Sequence, residues 1–242
     1  MEQCGHRKEV VMRRYKSFLI KKNAVIVLLF SLAASVFSQP KFSSSEVNNF
    51  DRLIMNPYSK TLDYLGTGFE AVTLLTPAVL FAAPSQDYWK IGLEYAQTIA
   101  FAYGAKELAK LCVSRPRPYM YFDNVPQNKI ENGDWDDSFF SGHATLSFAA
   151  AGFTTFMFCH YFPNSPWKIP VIAASYLLAT STAGLRLASG NHFLTDVLCG
   201  AAVGSVIGFL VPYVNSLWWK PTQTDKAQFS VLPLGFSASF YF

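Results

Sequence analysis

Apolar segments alternate with short polar ones along most of this chain, and the pattern predicts a bundle of membrane-crossing helices. The apolar segments of helical length lie at residues 62–83, 91–111, 144–161, 168–185 and 193–217. A shorter apolar run precedes them at 24–38. A transmembrane helix needs about 20 apolar residues. We therefore expect an all-α integral membrane bundle with five or six transmembrane helices, although moderate apolarity in some segments leaves a soluble helical bundle open.

The first 39 residues combine a basic stretch with the short apolar run. Arg13, Arg14, Lys21 and Lys22 precede the run, and basic residues favour the cytoplasmic side of a membrane. Small residues near Gln39 suit signal peptidase, whereas the long basic region suits a retained helix. Residues 1–39 are therefore either a cleaved signal peptide or a first transmembrane helix behind a basic N terminus.

The remaining chain divides into three parts. Residues 40–61 are polar and predicted to lie at the membrane interface, residues 62–219 form the helical core, and residues 220–242 form an extended tail rich in Phe and Ser. Within the core, Gly200, Gly204 and Gly208 recur at the four-residue spacing that permits close contact between helices.

Composition supports a lipid-facing surface. The 242 residues are 51% hydrophobic and 15% charged, and soluble domains carry about 25% charged residues. The net charge of +4 comes largely from the first 22 residues, so no basic face for nucleic acid is indicated. The four cysteines form no Cys-x-x-Cys pair, which gives no support to a disulfide framework or a zinc site.

Three short polar islands stand at the ends of apolar segments, at residues 110–118, 141–143 and 186–196. Charged groups beside hydrocarbon are costly and usually functional. If the basic N terminus stays inside, counting successive crossings places all three islands on one membrane face, the extracytoplasmic one. The count predicts one shared site.

The first two islands are suited to an anion. Lys110 and Arg117 flank Arg115, and prolines fix the following chain extended, so that an ammonium and a guanidinium can bind one phosphate. Ser141 is predicted to cap a helix whose free N–H groups bind an anion, with Gly142 allowing close backbone approach. His143 would then be placed to donate a proton to a leaving group.

The third island has the pattern of an oriented nucleophile. His192 and Asp196 are four residues apart at a predicted helix start, so we expect them on one face. Asp196 could then hydrogen-bond one ring nitrogen and leave the other free to attack phosphorus. Arg186, in the preceding loop, could bind the phosphoryl oxygens. A metal site is not supported, because no further ligand has suitable spacing.

Taken together, the islands resemble the motifs of the phosphatidic acid phosphatase type 2 superfamily. That family has Lys, six residues and Arg-Pro; then Pro-Ser-Gly-His; then Ser-Arg, five residues, His, three residues and Asp. The matching residues here are Lys110, Arg117, Pro118, Ser141, Gly142, His143, Arg186, His192 and Asp196. Phe140 and Leu185 depart from it, standing where the family has Pro and Ser.

The resemblance implies a six-helix bundle that hydrolyses phosphomonoesters or pyrophosphates without a metal or another cofactor. By similarity, His192 would form a phosphohistidine and Asp196 would orient it. His143 would protonate the leaving group and then activate water. The transition state would be stabilised by Lys110, Arg117, Arg186 and the backbone of Ser141 and Gly142.

We therefore expect a multi-pass lipid phosphate phosphatase of the cytoplasmic (inner) membrane, whose partners are a phosphorylated lipid substrate and membrane lipids. The alternatives are a soluble periplasmic acid phosphatase or vanadate-dependent haloperoxidase with the same site, and a catalytically silent protein that binds anionic headgroups. Phosphatidate, phosphatidylglycerophosphate, undecaprenyl diphosphate and lipid A phosphates all fit the motifs. The oligomeric state is left open.

Overall fold

The computed structural model describes residues 42–123, 125–222, and the backbone of 227–232 and 235–240. The expected signal peptide or first transmembrane helix at residues 1–39 lies outside the described residues.

Five long helices make up most of the described chain and coincide with the five apolar segments. In chain order, the α-helices of the described part are α1 (Asn49–Arg52), α2 (Lys60–Leu74), α3 (Tyr88–Cys112), α4 (Gln127–Glu131), α5 (Gly142–Tyr161), α6 (Lys168–Ala188) and α7 (Leu194–Ser216). A 3-10 turn at Ser44–Glu46 precedes α1, and further 3-10 segments lie between the helices at Thr76–Ala82, Ser85–Asp87, Pro118–Tyr121 and Asp134–Asp136. The predicted helical bundle is confirmed.

Helix α5 is the centre of this bundle and packs against α2, α3, α6 and α7. Its sequence explains the position, because between its two terminal histidines it carries only apolar, small and hydroxyl side chains. Phe153, Met157 and Phe158 of α5 form the main apolar cluster with Leu80 and Ile91 from neighbouring elements. Burial of these side chains stabilises the bundle by about 1.5–3 kcal/mol each.

The glycines of α7 lie against α5, as their spacing predicts. A Cβ at Gly204 would lie 2.2 Å from the carbonyl oxygen of Thr145, and one at Gly208 would lie 2.3 Å from that of Ala149. Only glycine therefore lets the two backbones approach this closely. The contact continues to the start of both helices, where the N–H of Ser141 donates to the carbonyl of Asp196 over 3.1 Å.

Three helical segments of the described chain are long and apolar enough to cross a membrane: Lys60–Ala82, Lys168–Ala188 and Leu194–Ser216. Large apolar side chains are exposed around the bundle, among them Phe101 and Phe209, which suits contact with lipid. The number of crossings, five or six, stays a prediction.

The tail is extended over the residues that the structure describes. It contains two antiparallel strands, β1 (Ala227–Leu232) and β2 (Gly235–Phe240), which pair from Ala227 with Phe240 to Leu232 with Gly235. The partial alternation of the sequence is the period of a strand, but the sequence analysis did not recognise that two strands pair. The fold is thus a helical bundle followed by a β-hairpin.

Candidate active site

The three polar islands lie together at one end of the helical bundle. The second and third meet where Ser141 donates to Asp196. The first joins them through Arg117, whose Nη1 lies 3.4 Å from the carbonyl oxygen of Asn191, and through the N–H of Tyr119, which donates to the carbonyl of Gly190 over 3.2 Å. The structure therefore brings together residues that are up to 81 positions apart in sequence.

His192 lies in the turn between α6 and α7 and is only 3% exposed. Its Nδ1 is 2.8 Å from the carbonyl oxygen of Ser138. Because a carbonyl can only accept, Nδ1 carries the proton and the lone pair is on Nε2. Burial, with the nearby charges of Arg117 and Arg186, holds the pKa of His192 well below its usual value. The ring is therefore neutral, as a nucleophile requires.

The expected hydrogen bond between Asp196 and His192 is wrong. Their closest atoms, Oδ2 and Nδ1, are 3.9 Å apart, and Oδ2 instead accepts from the hydroxyl of Ser138 over 2.5 Å and from the N–H of Phe193 over 2.9 Å. The reason is that α7 begins at Leu194, so His192 precedes the helix and the four-residue spacing does not place it on the same helical face. Among the described residues, Ser138 connects the two, since its hydroxyl donates to Asp196 and its carbonyl accepts from His192.

Gly190 shapes the turn that carries His192. Its φ is +71°, and a Cβ there would lie 2.4 Å from the carbonyl oxygen of Asn56. The same turn is held by the N–H of Ser59, which donates to the carbonyl of Ser189 over 3.1 Å. Only glycine meets both conditions, so the segment before α2 fixes the backbone next to His192.

A buried network of ion pairs and hydrogen bonds holds the carboxylate of Asp196 in place. The Nη1 group of Arg115 binds Asp196, and its Nη2 group donates to Asp51 of α1 over 2.6 Å. Asp51 also accepts from the N–H and the hydroxyl of Thr195, over 2.9 and 2.7 Å. The predicted interfacial segment 40–61 thus contributes to the site, and nothing in the sequence pattern indicated this role for Asp51.

Arg117 is buried and oriented by backbone carbonyls. Its Nε donates to the carbonyl of Asp134 over 2.5 Å and its Nη1 to that of Asn191. Carbonyls direct a guanidinium without neutralising it, and within the described part of the chain Arg117 forms no ion pair. Its charge therefore remains available to an anion.

Lys110 lies in the last turn of α3, with its Nζ 3.9 Å from Asp137 Oδ2. One turn earlier, the side chain of Lys106 crosses Gly142, where a Cβ would lie 2.7 Å from Lys106 Cδ. A side chain at position 142 would therefore displace the flexible end of Lys106. The sequence analysis did not recognise Lys106, a cation inside an apolar segment.

Ser141 caps α5, as predicted, because its hydroxyl accepts from the N–H of Ala144 over 3.4 Å. The N–H groups of Gly142 and His143 belong to the first turn, where backbone donors have no partner within the helix. Backbone donors in this position can bind an anion, and these two lie next to the histidine turn.

His143 stands at the open side of the site. Its side chain is 28% exposed, and its Nε2 is 3.3 Å from both Glu70 Oε2 and Thr67 Oγ1 of α2. Burial, together with Arg186, lowers the pKa of His143 to about 3. A bound phosphate dianion would neutralise the arginines and favour the protonated ring again.

Arg186 lies in the last turn of α6 and not in the predicted loop, because the helix continues to Ala188. It is buried and forms an ion pair with Asp63 of α2. Its Nε is buried with no hydrogen-bond partner among residues 42–123 and 125–222. A buried donor without a partner is costly, so a phosphoryl oxygen is a suitable acceptor for it.

Helix α2 provides site residues that the sequence analysis missed. Asp63, Thr67 and Glu70 are spaced by four and three residues, which places them on one face, and they contact Arg186 and His143. The available signal was the presence of two acids in a segment otherwise apolar enough to cross a membrane.

The two departures from the family motif lie beside the site. Phe140 is buried with its ring against that of Phe139 at 5.7 Å. Leu185 packs next to Gly66 of α2. Both fill apolar space, and neither removes one of the charged groups described above.

Comparison with known proteins places this arrangement in a family. Over 86 residues, 36% of this chain, the sequence is 36% identical to lipid A 1-phosphatase from Porphyromonas gingivalis, and the aligned part spans only 18% of that protein. A crystal structure of Aquifex aeolicus LpxE aligns with 71% of this chain and 99% of its own, at 20% identity and a TM-score of 0.49.

A second crystal structure, of the first transmembrane PAP2-type phosphatidylglycerolphosphate phosphatase from Bacillus subtilis, aligns with 81% of this chain and 96% of its own. The identity is 17% and the TM-score is 0.48. The sequence model of the PAP2 superfamily matches residues 91–220, more than half of the chain and all three polar islands. The chain belongs to the PAP2 superfamily.

Proposed function

We propose that this protein is a membrane lipid phosphate phosphatase that works through a phosphohistidine on His192, without a metal. The observation that carries the proposal is a buried, neutral histidine whose Nε2 is free, surrounded by two arginines that retain charge or donors for an anion. A neutral imidazole can attack phosphorus, and the arginines can hold the phosphoryl oxygens around it.

In the first step, Nε2 of His192 attacks phosphorus and the bond between phosphorus and the leaving oxygen breaks. Protonated His143 gives its proton to that oxygen, so the product leaves as a neutral alcohol. The carbonyl of Ser138 accepts a hydrogen bond from Nδ1–H throughout and stabilises the positive charge that develops on the ring.

In the second step, water attacks the phosphohistidine. His143, now neutral, takes a proton from the water as its oxygen bonds to phosphorus, and the bond between phosphorus and Nε2 breaks. Inorganic phosphate leaves, and both histidines return to their starting states. Lys110, Arg117, Arg186 and the first N–H groups of α5 stabilise the phosphoryl oxygens in both steps.

The unequal exposure of the histidines favours a terminal phosphate as substrate. His192 is enclosed, whereas His143 is partly exposed beside the exposed Thr67. A phosphate that enters end-first reaches His192 and leaves its ester group at the opening. The exposed apolar side chains of the bundle, and the similarity to lipid A 1-phosphatase, support a lipid as that ester group.

We further propose that the site faces the extracytoplasmic side of the inner membrane. The support is the basic N-terminal sequence, since basic residues stay inside and the count of apolar segments then places all three islands outside.

Phosphate release by the purified protein in detergent tests the function. The substrates are phosphatidate, phosphatidylglycerophosphate, undecaprenyl diphosphate and lipid A phosphates, each with and without chelator. We expect release from at least one lipid that is unaffected by chelator and abolished in His192→Ala, with the helical circular dichroism retained. Near-normal turnover in that variant, loss of activity with chelator, or lipid binding without release would each contradict the proposal.

A further inference from the structure

Helix α2 presents a polar face to the site although it lies in a segment apolar enough to cross a membrane. It ends before residue 91, where the match to the PAP2 superfamily begins. Its polar side chains are therefore outside the motifs that the family shares. Acidic groups in such a segment are costly and need a compensating interaction.

Asp63 and Glu70 differ in how this cost is compensated. Asp63 is paired with Arg186, lies 3.5 Å from Lys129, and accepts from the hydroxyl of Tyr58 over 2.9 Å. Glu70 is only 14% exposed, and its Oε2 lies 3.3 Å from Nε2 of His143, a contact that becomes an ion pair when the ring is protonated. The same nitrogen of His143 lies 3.3 Å from Thr67 Oγ1. The carboxylate of Glu70 is thus committed to the candidate proton donor.

We propose that Glu70 is the positioning residue of the proton donor: its carboxylate holds the His143 ring at the opening of the site and stabilises the proton that His143 gives to the leaving group. The inference rests on the proposed phosphatase function. Thr67 completes the arrangement by limiting rotation of the ring from the same face of α2.

The charges around His143 explain why such a residue is needed. The charged and titratable groups around His143 and Glu70 are Arg186 from α6, Lys106 from α3, Arg117 and Lys129 from the connection 113–141, His192 from the turn before α7, and Asp63 from α2. The cations oppose a proton on His143, and the two carboxylates favour it. Asp63 is paired with Arg186, whereas the carboxylate of Glu70 lies 3.3 Å from the His143 ring and is placed to stabilise the imidazolium.

The chemistry of the leaving group gives a readout that a purely structural role would not produce. An alkoxide is a poor leaving group and requires a proton, whereas a nitrophenolate leaves without one. Loss of Glu70 should therefore slow hydrolysis of an alkyl phosphate far more than that of an aryl phosphate.

The test uses the full chain in detergent and two probes with the same acyl tail, one an alkyl phosphate and one a nitrophenyl phosphate. We expect Glu70→Gln to lower kcat for the alkyl probe by about 10- to 100-fold, part of the 10²–10⁴-fold that general acid catalysis supplies. The value for the aryl probe should stay within about threefold. The basic limb of the alkyl pH profile should move to lower pH, because protonated His143 is the active form and loses a stabilising carboxylate.

Glu107→Gln is the matched control, since that carboxylate of α3 is 42% exposed and paired with Lys106; both rates should be unchanged. Glu70→Asp keeps the charge with a shorter reach and should restore part of the alkyl rate. This variant decides the question if Glu70→Gln does not fold: an aspartate variant as slow on the aryl probe as on the alkyl probe overturns the proposal.

Equal losses on both probes in Glu70→Gln, or no loss on either, would likewise overturn the inference. These outcomes are distinct from failure of the proposed function. If His192→Ala retains turnover, the phosphohistidine reaction itself is wrong, whereas an inactive His192→Ala beside a fully active Glu70→Gln removes only the role of Glu70.

Discussion

Two buried carboxylates, Asp51 and Asp87, have the same kinds of partner, and their cations, Arg115 and Lys90, lie near opposite ends of α3. Only Asp51 is connected to the candidate active site. Asp51 accepts from the N–H and the hydroxyl of Thr195 and from Arg115, over 2.9, 2.7 and 2.6 Å. Asp87 accepts from the N–H and the hydroxyl of Thr222 and from Lys90, over 2.8, 2.9 and 2.8 Å. Their local chemistry is nearly identical.

The cation makes the difference between these carboxylates. Arg115 has a second donor group, which binds Asp196, and Asp196 continues through Ser138 to His192. Lys90 is a single ammonium, 23% exposed, whose ion pair with Asp87 ends at the protein surface. A forked guanidinium can connect two carboxylates, whereas an ammonium here serves one. The connection, and not the buried acid itself, distinguishes the site.

The two histidines at the ends of α5 also differ in whether they are connected to the candidate active site. His143, in the first turn, contacts Glu70 and Thr67. His160, in the last turn, stacks on Phe156 at 5.7 Å, and its Nε2 is buried without a hydrogen-bond partner in the described residues. The same side chain on the same helix is therefore suited to proton transfer at one end and to packing at the other.

Replacing each of the two histidines in turn should give the largest difference in turnover among these predictions. We expect His143→Ala to lower turnover of an alkyl phosphate by about 10²–10⁴-fold, because general acid and base catalysis is lost. His160→Ala should keep turnover within about twofold, since His160 contacts no group of the site. Phosphate release at matched folded concentration checks both, and a comparable loss in the two variants would remove the distinction between the ends of α5.

Replacing each carboxylate should have a smaller effect that separates activity from stability. Asp51→Asn weakens the bond to Arg115, so we expect kcat to fall about tenfold, with a loss of about 1–3 kcal/mol in the free energy of unfolding. Asp87→Asn should lose a similar amount of stability at unchanged kcat. Denaturation and turnover measured on the same samples provide the check, and equal changes in kcat would show that the Arg115 connection does not matter.

Lowering the pH should produce the smallest of these effects, a decrease in thermal stability. Burial raises the pKa of Asp51 and of Asp87, but hydrogen bonds from threonine, arginine and lysine outweigh it and hold both below the ordinary value of 3.8. Each carboxylate thus contributes stability above pH 3.8, which is lost as the pH falls through the lower value of the folded state. The midpoint of thermal unfolding should drop in that window, and less so in Asp87→Asn. If the midpoint drops equally in this variant, Asp87 is not a source of the stability that is lost in acid.

Much of the site could be predicted from sequence because its motifs are local. Ser141 caps α5 as its position before the helix indicates, and the glycines of α7 make the close contact that their spacing predicts. Arg186 and His192 were found by spacing as well, although the helix ends around them were misplaced by two or three residues. That shift was enough to make the expected bond between Asp196 and His192 wrong.

The sequence by itself determined the helical segments, their close packing at glycine, and the residues that carry the proposed chemistry, since these depend on periodicity and on spacings within one element. Only the tertiary structure decided that Ser138 holds His192, that Arg115 connects Asp51 with Asp196, and that α2 turns Asp63 and Glu70 toward the site. These contacts join segments between 54 and 123 residues apart. Their partners are chosen by how the helices pack, and no local pattern encodes that choice.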